Sequence, residues 1–313
     1  KLGYESEALS ALKQAANLDH STGNPASALQ SLKALLEIDT LSSEQKLDLQ
    51  FKAASMASAI GQFDQAIELF QASIESPKSQ YGMGETFIKL GRYKEAAVLL
   101  QPLIETTSMN KAPAEVLLAR AELLSGNLAK SETVVTLALE NTEHPHRIKL
   151  LATLGLVHYF RSNLPSAQHQ LEQSYELGTS LESSPLVEEE LDATRGNLAM
   201  VLQKNNELGK AEKLYRESLA LARKSNHLSK QVLRLTNLGT ILHERHKYNE
   251  AMQTYAEALT LAELIQGDRE FVRIALNHSN LAAFLGQTRQ AHKQVLAAIA
   301  LAKTGGMKTE HAY

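Results

Sequence analysis

The sequence predicts an all-α protein built as a stack of about eight antiparallel helix pairs, without a sheet. Three observations carry this. First, the stretch NLGTILHERHKYNEAMQTYAEALTLA at 237–262 recurs at fixed intervals. Asn237, Leu238, Gly239, Leu242, Ala251, Tyr255 and Ala258 stand forty residues after Asn197, Leu198, Ala199, Leu202, Ala211, Tyr215 and Ser218. They stand forty before Asn277, His278, Ser279, Ala282, Ala291, Val295 and Ala298. Second, the residue types suit two closely packed helices. A small residue (Gly239, Ala199, Ser279) lets the second helix cross, while Ala251 and Ala258 give that helix a close face and Tyr255 fills the wider gap. Third, 16 Gly and 7 Pro in 313 residues leave a chain rich in helix formers, with 43% hydrophobic residues.

The same signature runs through the first half with shorter, less regular spacing. GNPASALQSLKALL places Gly23 at a turn and Ala28, Leu32 and Leu35 on the following helix. GQFDQAIELFQASI repeats this with Gly61, Ala66, Phe70 and Ser73, and GRYKEAAVLLQPLI with Gly91, Ala96, Leu100 and Leu103. GNLAKSETVVTLAL follows with Gly126, Ser131, Val135 and Ala138, then SNLPSAQHQLEQSY with Ser162, Ala167, Leu171 and Ser174. First helices are expected at 9–20, 47–59, 77–90, 112–125, 148–161, 187–204, 229–245 and 269–285. Second helices are expected at 25–37, 63–76, 93–106, 128–141, 164–177, 208–223, 248–263 and 288–303. No pair can bury its apolar stripe alone, so consecutive pairs must stack.

Composition narrows the function classes. With 32 Lys+Arg against 35 Asp+Glu and a net charge of -3, there is no global attraction to nucleic acid, and direct nucleic-acid binding is not expected. No apolar run approaches the roughly 18 residues of a membrane span, and KLGYESEALS lacks a signal-peptide core, so membrane insertion is not expected. The absence of Cys removes disulfides and thiolate chemistry and is compatible with a reducing, cytoplasmic location. The opening on Lys1 suggests a piece of something longer.

The Leu-Gly pair at 238 and 239, with the Ala-x3-aromatic-x2-Ala run of Ala251, Tyr255 and Ala258, resembles the tetratricopeptide repeat family. The resemblance covers nearly the whole chain from about residue 9. It implies a right-handed superhelix forming a single domain over 1–313. Irregular repeats run to about 178, 40-residue repeats from about 187 to 303, and a flexible tail occupies 304–313. No repeat carries the Trp common in the family's first helix, and Pro is scarce at repeat boundaries. The longer units are similar to those of kinesin light chain-like and bacterial regulatory members.

Enzymatic motifs fail one at a time. HERH at 243–246 has histidines three apart, not the spacing of a zinc helix, and reads as a solvated helix end. YGMGETF at 81–87 lacks the third glycine and the strand of a dinucleotide fingerprint; close helix packing explains Gly84. VEEELD at 187–192 reads as a solvated N-terminal turn, and HPHR at 144–147 as a helix entry. No nucleophile pairs with a base. No catalytic residue, metal site or cofactor is expected.

In the resembled family the first helices line a concave groove that takes an extended peptide or a partner helix. Its groove positions fall on Asn197, Asn237 and Asn277, whose amides can donate to a peptide carbonyl and accept from a peptide amide. The bland alternative is a hydrogen bond within the repeat. Arg273 and Asn280 lie near the same face and Lys204 near the far end of an earlier first helix, an incomplete match to a carboxylate clamp. Tyr81, Tyr159 and Phe160 fall near concave first-helix positions, where they can form apolar pockets or pack internally. The expected function is therefore a non-catalytic scaffold or receptor for another protein or peptide. The alternative is the sensor arm of a larger bacterial transcriptional regulator or signalling kinase. The pattern at 6–20 and the end after Lys303 also leave room for a flanking domain or for self-association through an uncapped end.

Overall fold

The computed structural model describes residues 25–38, 41–106, 111–143, 145–265 and 267–304. The expected first helix at 9–20 and the tail beyond 304 lie outside the described residues. Among the described residues fifteen helices follow one another and there is no strand. They divide into two compact units between Val157 and His158.

The first unit opens with α1 (Pro25–Leu36), α2 (Ser43–Ala59), α3 (Phe63–Gln71) and α4 (Pro77–Lys89). It continues with α5 (Tyr93–Thr106), α6 (Lys111–Leu124) and α7 (Leu128–Asn141), each packed on the one before. First helices also touch the next first helix, α2 on α4 and α4 on α6. Two departures from the sequence reading have local causes. The α2 helix begins four residues early because Ser42 and Gln45 form a reciprocal capping box, with Gln45 N–H donating to Ser42 Oγ and Ser42 N–H to Gln45 Oε1. The α3 helix stops at Gln71 and not at 76. There the Ser73 hydroxyl hydrogen-bonds Ser79 at 2.7 Å and donates back to the Phe70 carbonyl, and Pro77 disfavours helical geometry at Ser76.

Gly84 of YGMGETF is a packing glycine, as the sequence predicts, and Gly82 is one too. A Cβ at Gly84 would lie 2.8 Å from Leu100 Cδ2, and one at Gly82 2.5 Å from Phe70 Cζ. Pairs close through a left-handed residue two positions beyond the end of the first helix. Gly91 at φ 78 lets Arg92 N–H donate to the Phe87 carbonyl, and His246 takes the same role at φ 59 in the second unit.

The helix α8 (His146–Phe160) carries the boundary between the units. The second unit then runs through α9 (Leu164–Ser180), α10 (Pro185–Lys204), α11 (Leu208–Lys224), α12 (Leu228–Glu244), α13 (Tyr248–Leu264), α14 (Asp268–Phe284) and α15 (Thr288–Thr304). From α9 onward each helix packs on the next, and α12 also touches α14. The forty-residue register is literal here: α11, α13 and α15 begin at 208, 248 and 288, and α10, α12 and α14 end at 204, 244 and 284. The start of α10 falls earlier than expected because Ser184 Oγ accepts from Val187 N–H and Pro185 occupies the first turn.

The core follows the pattern that identified the repeat. Ala211, Ala251, Ala258, Leu242 and Tyr255 are essentially inaccessible, and a Cβ at Gly239 would sit 2.5 Å from the Tyr255 ring. On the outer side, Arg216 pairs with Glu250 and Arg223 with Glu257, joining successive second helices; exposed pairs of this kind are worth about 0–1 kcal/mol each. On α15, Leu296 and Ile299 remain exposed.

Candidate functional site

The second unit places Asn197 on α10, Asn237 on α12 and Asn277 on α14 at one register position of three successive first helices. All three are half-buried. The residue after each, Leu198, Leu238 or His278, is buried, and so is the residue four positions on, Val201, Ile241 or Leu281. Each Asn thus stands at the edge of its helix's buried stripe, facing outward. Among the described residues, none of the three amides takes a hydrogen bond from the repeat itself. The hydrogen bond within the repeat that the sequence offered as the alternative is therefore not formed at these three positions.

The other sequence-selected residues divide between the units. Arg273 and Asn280 are exposed on α14, on the same stripe as Asn277, and among the described residues no ion pair engages Arg273. Lys204 is exposed at the last position of α10. Tyr81 belongs to the first unit, where it packs half-buried against the core. Tyr159 and Phe160 stack edge to face at 5.5 Å, the former half-buried and the latter 57% exposed.

Beneath the Asn row lies a buried polar cluster that the sequence reading assigned differently. VEEELD reads in the sequence as a solvated helix start, yet Asp192 stands two turns inside α10 and is buried, as is Glu190. The Asp192 carboxylate accepts from the Ser218 hydroxyl of α11 and, at 3.2 Å, from Arg234 Nη2 of α12; Lys230 lies 3.5 Å away. Burial by itself would push the Asp192 carboxyl up, but the Ser218 hydroxyl and the Arg234 guanidinium outweigh it and hold the group below the usual carboxylate range. Gly196, one residue before Asn197, makes room for Arg234: a Cβ there would lie 2.5 Å from Nη1. The cluster pins α10, α11 and α12 together and so fixes Asn197 relative to Asn237. Its signal in the sequence was the lone Gly196 set against a basic residue at 234, where the neighbouring repeats carry Thr194 and Ile274.

A second buried acid, Glu212 on α11, accepts from Arg216, Arg245 and Lys247, the last at 3.0 Å. Burial raises its pKa, and the three cations more than offset this, leaving it below the ordinary range. Arg245 and Lys247 come from the α12–α13 turn, so the carboxylate fastens one repeat to the next. HERH is likewise structural: His246 Nδ1 hydrogen-bonds the Tyr248 hydroxyl at 2.7 Å, and the His243 ring lies 6.5 Å from Phe284. Among the described residues no cluster of His, Asp and Glu is arranged to hold a metal, and no helix is long and apolar enough to cross a membrane. In the first unit a shallow depression is lined by Arg92, Tyr93, Glu95 and Leu124. The Glu95 carboxylate in it is already held by Arg92 at 2.5 and 2.7 Å.

Tandem helix pairs whose first helices line up a row of polar side chains define a helical-repeat binding scaffold. Comparison with known proteins agrees. A tetratricopeptide repeat model matches residues 190–263, which lie in the second unit, and the fold of tandem helix pairs is that of tetratricopeptide-repeat solenoids. No curated protein matches by sequence. Among solved structures, the apo form of the quorum sensor NprR from B. thuringiensis superposes with a TM-score of 0.69 at 13% identity, covering 95% of this chain and 87% of that one. A signal-transduction ATPase with a tetratricopeptide repeat sensor from Pyrococcus horikoshii gives 0.66 at 15% identity over 98% of this chain, which spans 51% of that protein. A tetratricopeptide repeat protein from Parabacteroides merdae gives 0.62 at 11% identity, covering 86% and 99%. At these identities the likeness is one of fold.

Proposed function

We propose that this chain is a non-catalytic receptor that holds an extended polypeptide segment across the first helices of its second unit. The observation that carries the reading is the Asn row: three amides in register, half-buried, with no hydrogen bond inside the repeat. An amide in that position offers one donor and one acceptor to a peptide group, which suits sequence-tolerant grip on a backbone. Arg273 at the end of the row, free of any ion pair among the described residues, adds preference for a carboxylate.

Removing two of the amides tests this. Asn197→Ala with Asn237→Ala is expected to weaken peptide binding by about 1–3 kcal/mol while leaving helix content and the melting midpoint close to wild type. Titration calorimetry on peptides enriched from a library, beside thermal melts, reads both quantities. Equal peptide affinity in the two proteins would refute the row as a binding element. Lost stability with unchanged selectivity would make it structural.

A second reading places the same groove in the sensor arm of a larger regulator. It is favoured by the fold likeness to a quorum sensor and to the repeat sensor of a signalling ATPase. In that setting the bound segment is a signal, and the test is whether its addition changes the output of a flanking module in the longer protein.

A further inference from the structure

Resting on the reading of the Asn row as a peptide-binding surface, the side chains that flank it name the class of segment it selects. Four residues before each Asn stand Ala193, Leu233 and Arg273, all exposed. Three residues after stand Met200 and Thr240, half-buried, and Asn280, exposed. Thr240 is already engaged, accepting from the Tyr255 hydroxyl at 3.1 Å and donating to the Thr236 carbonyl. The surface therefore changes character along the row. Across α10 and α12 it is aliphatic, with Ala193, Met200 and Leu233, the last 39% exposed. On α14 it turns cationic and amide-bearing, with Arg273 and Asn280.

The distance between these two regions is set by helix packing. Packed helices have axes roughly 8–10 Å apart, and α12 packs directly on α14, which sets the step from Leu233 to Arg273 at about that length. A fully extended β-strand offers the same face every two residues, roughly 6.6 Å, or every four, roughly 13 Å, and neither matches. A polyproline-II chain advances about 3.1 Å per residue with three residues per turn, so the same face returns after about 9 Å. We propose that the groove selects a segment in polyproline-II conformation in which an aliphatic residue and an acidic residue stand three positions apart. The aliphatic side chain rests on Leu233 and its α10 neighbours, the carboxylate meets Arg273, and the Asn amides hold the backbone between them.

Three labelled synthetic peptides of equal length test this by fluorescence anisotropy: one carrying Leu-x-x-Glu, one Leu-x-Glu and one Leu-x-x-Lys. Wild type is expected to bind the first at least about tenfold more tightly than either of the others. Arg273→Glu should invert the order between Leu-x-x-Glu and Leu-x-x-Lys, with an unchanged melting midpoint because Arg273 is exposed. Equal affinity for all three peptides, abolished by the double Asn variant, would overturn the spacing proposal and leave the peptide groove standing. Binding of none of them, or binding indifferent to the Asn variants, would overturn the groove reading and the spacing with it.

Discussion

Gly239→Leu is expected to destabilise the fold by about 1–3 kcal/mol, where Lys204→Ala changes it by less than about 0.5 kcal/mol. The glycine lies at the crossing of α12 and α13, against the ring of Tyr255, which is 1% exposed. Even a first side-chain carbon would stand 2.5 Å from Cε1 and 2.7 Å from Cδ1 of that ring. The ring cannot easily retreat, since its hydroxyl donates to Thr240 and its other edge faces His278 of the next repeat, ring centroids 6.4 Å apart. A leucine must therefore push α13 away from α12, and in a linear array that strain passes to α14. Lys204, exposed at a helix end, touches nothing comparable. Chemical denaturation of both variants gives the comparison, and equal midpoints would contradict the close crossing.

Asp192→Ala is expected to cost still more, about 3–5 kcal/mol, because it strands Arg234 as a buried, uncompensated cation. The two side chains are 10% and 9% exposed, so water cannot replace the lost partner. Glu257→Ala, which breaks an ion pair whose side chains are 44% and 51% exposed, should cost no more than about 1 kcal/mol. Acid provides an independent reading. A carboxyl held below its ordinary range stabilises the fold fully above about pH 4, the unfolded-state value, and loses that contribution as pH falls through its lower folded-state value. The stability gap between wild type and Asp192→Asn should accordingly be widest near neutrality and shrink below about pH 4. A gap independent of pH would show that Asp192 acts by packing and not by charge. Because the cluster fixes α10 against α12, Asp192→Ala should also weaken peptide binding in whatever fraction remains folded.

What could be seen in the sequence was whatever repeats. Crossing residues such as Gly239 and Ala199, the alanines of the second helices and the turn residues from Gly61 to Ser162 recur because every pair solves the same packing problem. The expected 248–263 thus became Tyr248–Leu264, and 208–223 became Leu208–Lys224. What could not be seen was specific to one place. The capping box of Ser42 and Gln45 and the early stop at Gln71 depend on single hydroxyls and amides that no neighbouring repeat shares. Asp192 departs from the expectation because four acids within the five residues 188–192 suggest a solvated turn. Only the fold shows that the last of them faces a guanidinium forty-two residues away in the chain. The Asn row was visible by its period, but its lack of hydrogen bonds within the repeat required the side chains of adjacent repeats to be in place. Tyr81 shows the converse: an aromatic at a groove-like position that packs against the core.

The proposed groove requires Asn197, Asn237 and Asn277 to touch a bound peptide together, and side-chain amide NMR measures that directly. On titration with the Leu-x-x-Glu peptide, the NH2 resonances of these three are expected to shift along one saturable curve. Asn206 and Asn226, at left-handed turn positions, and Asn249 on the exposed start of α13 should stay still. Saturable binding that leaves the row unmoved, or that moves the turn asparagines instead, would contradict the assignment of the groove.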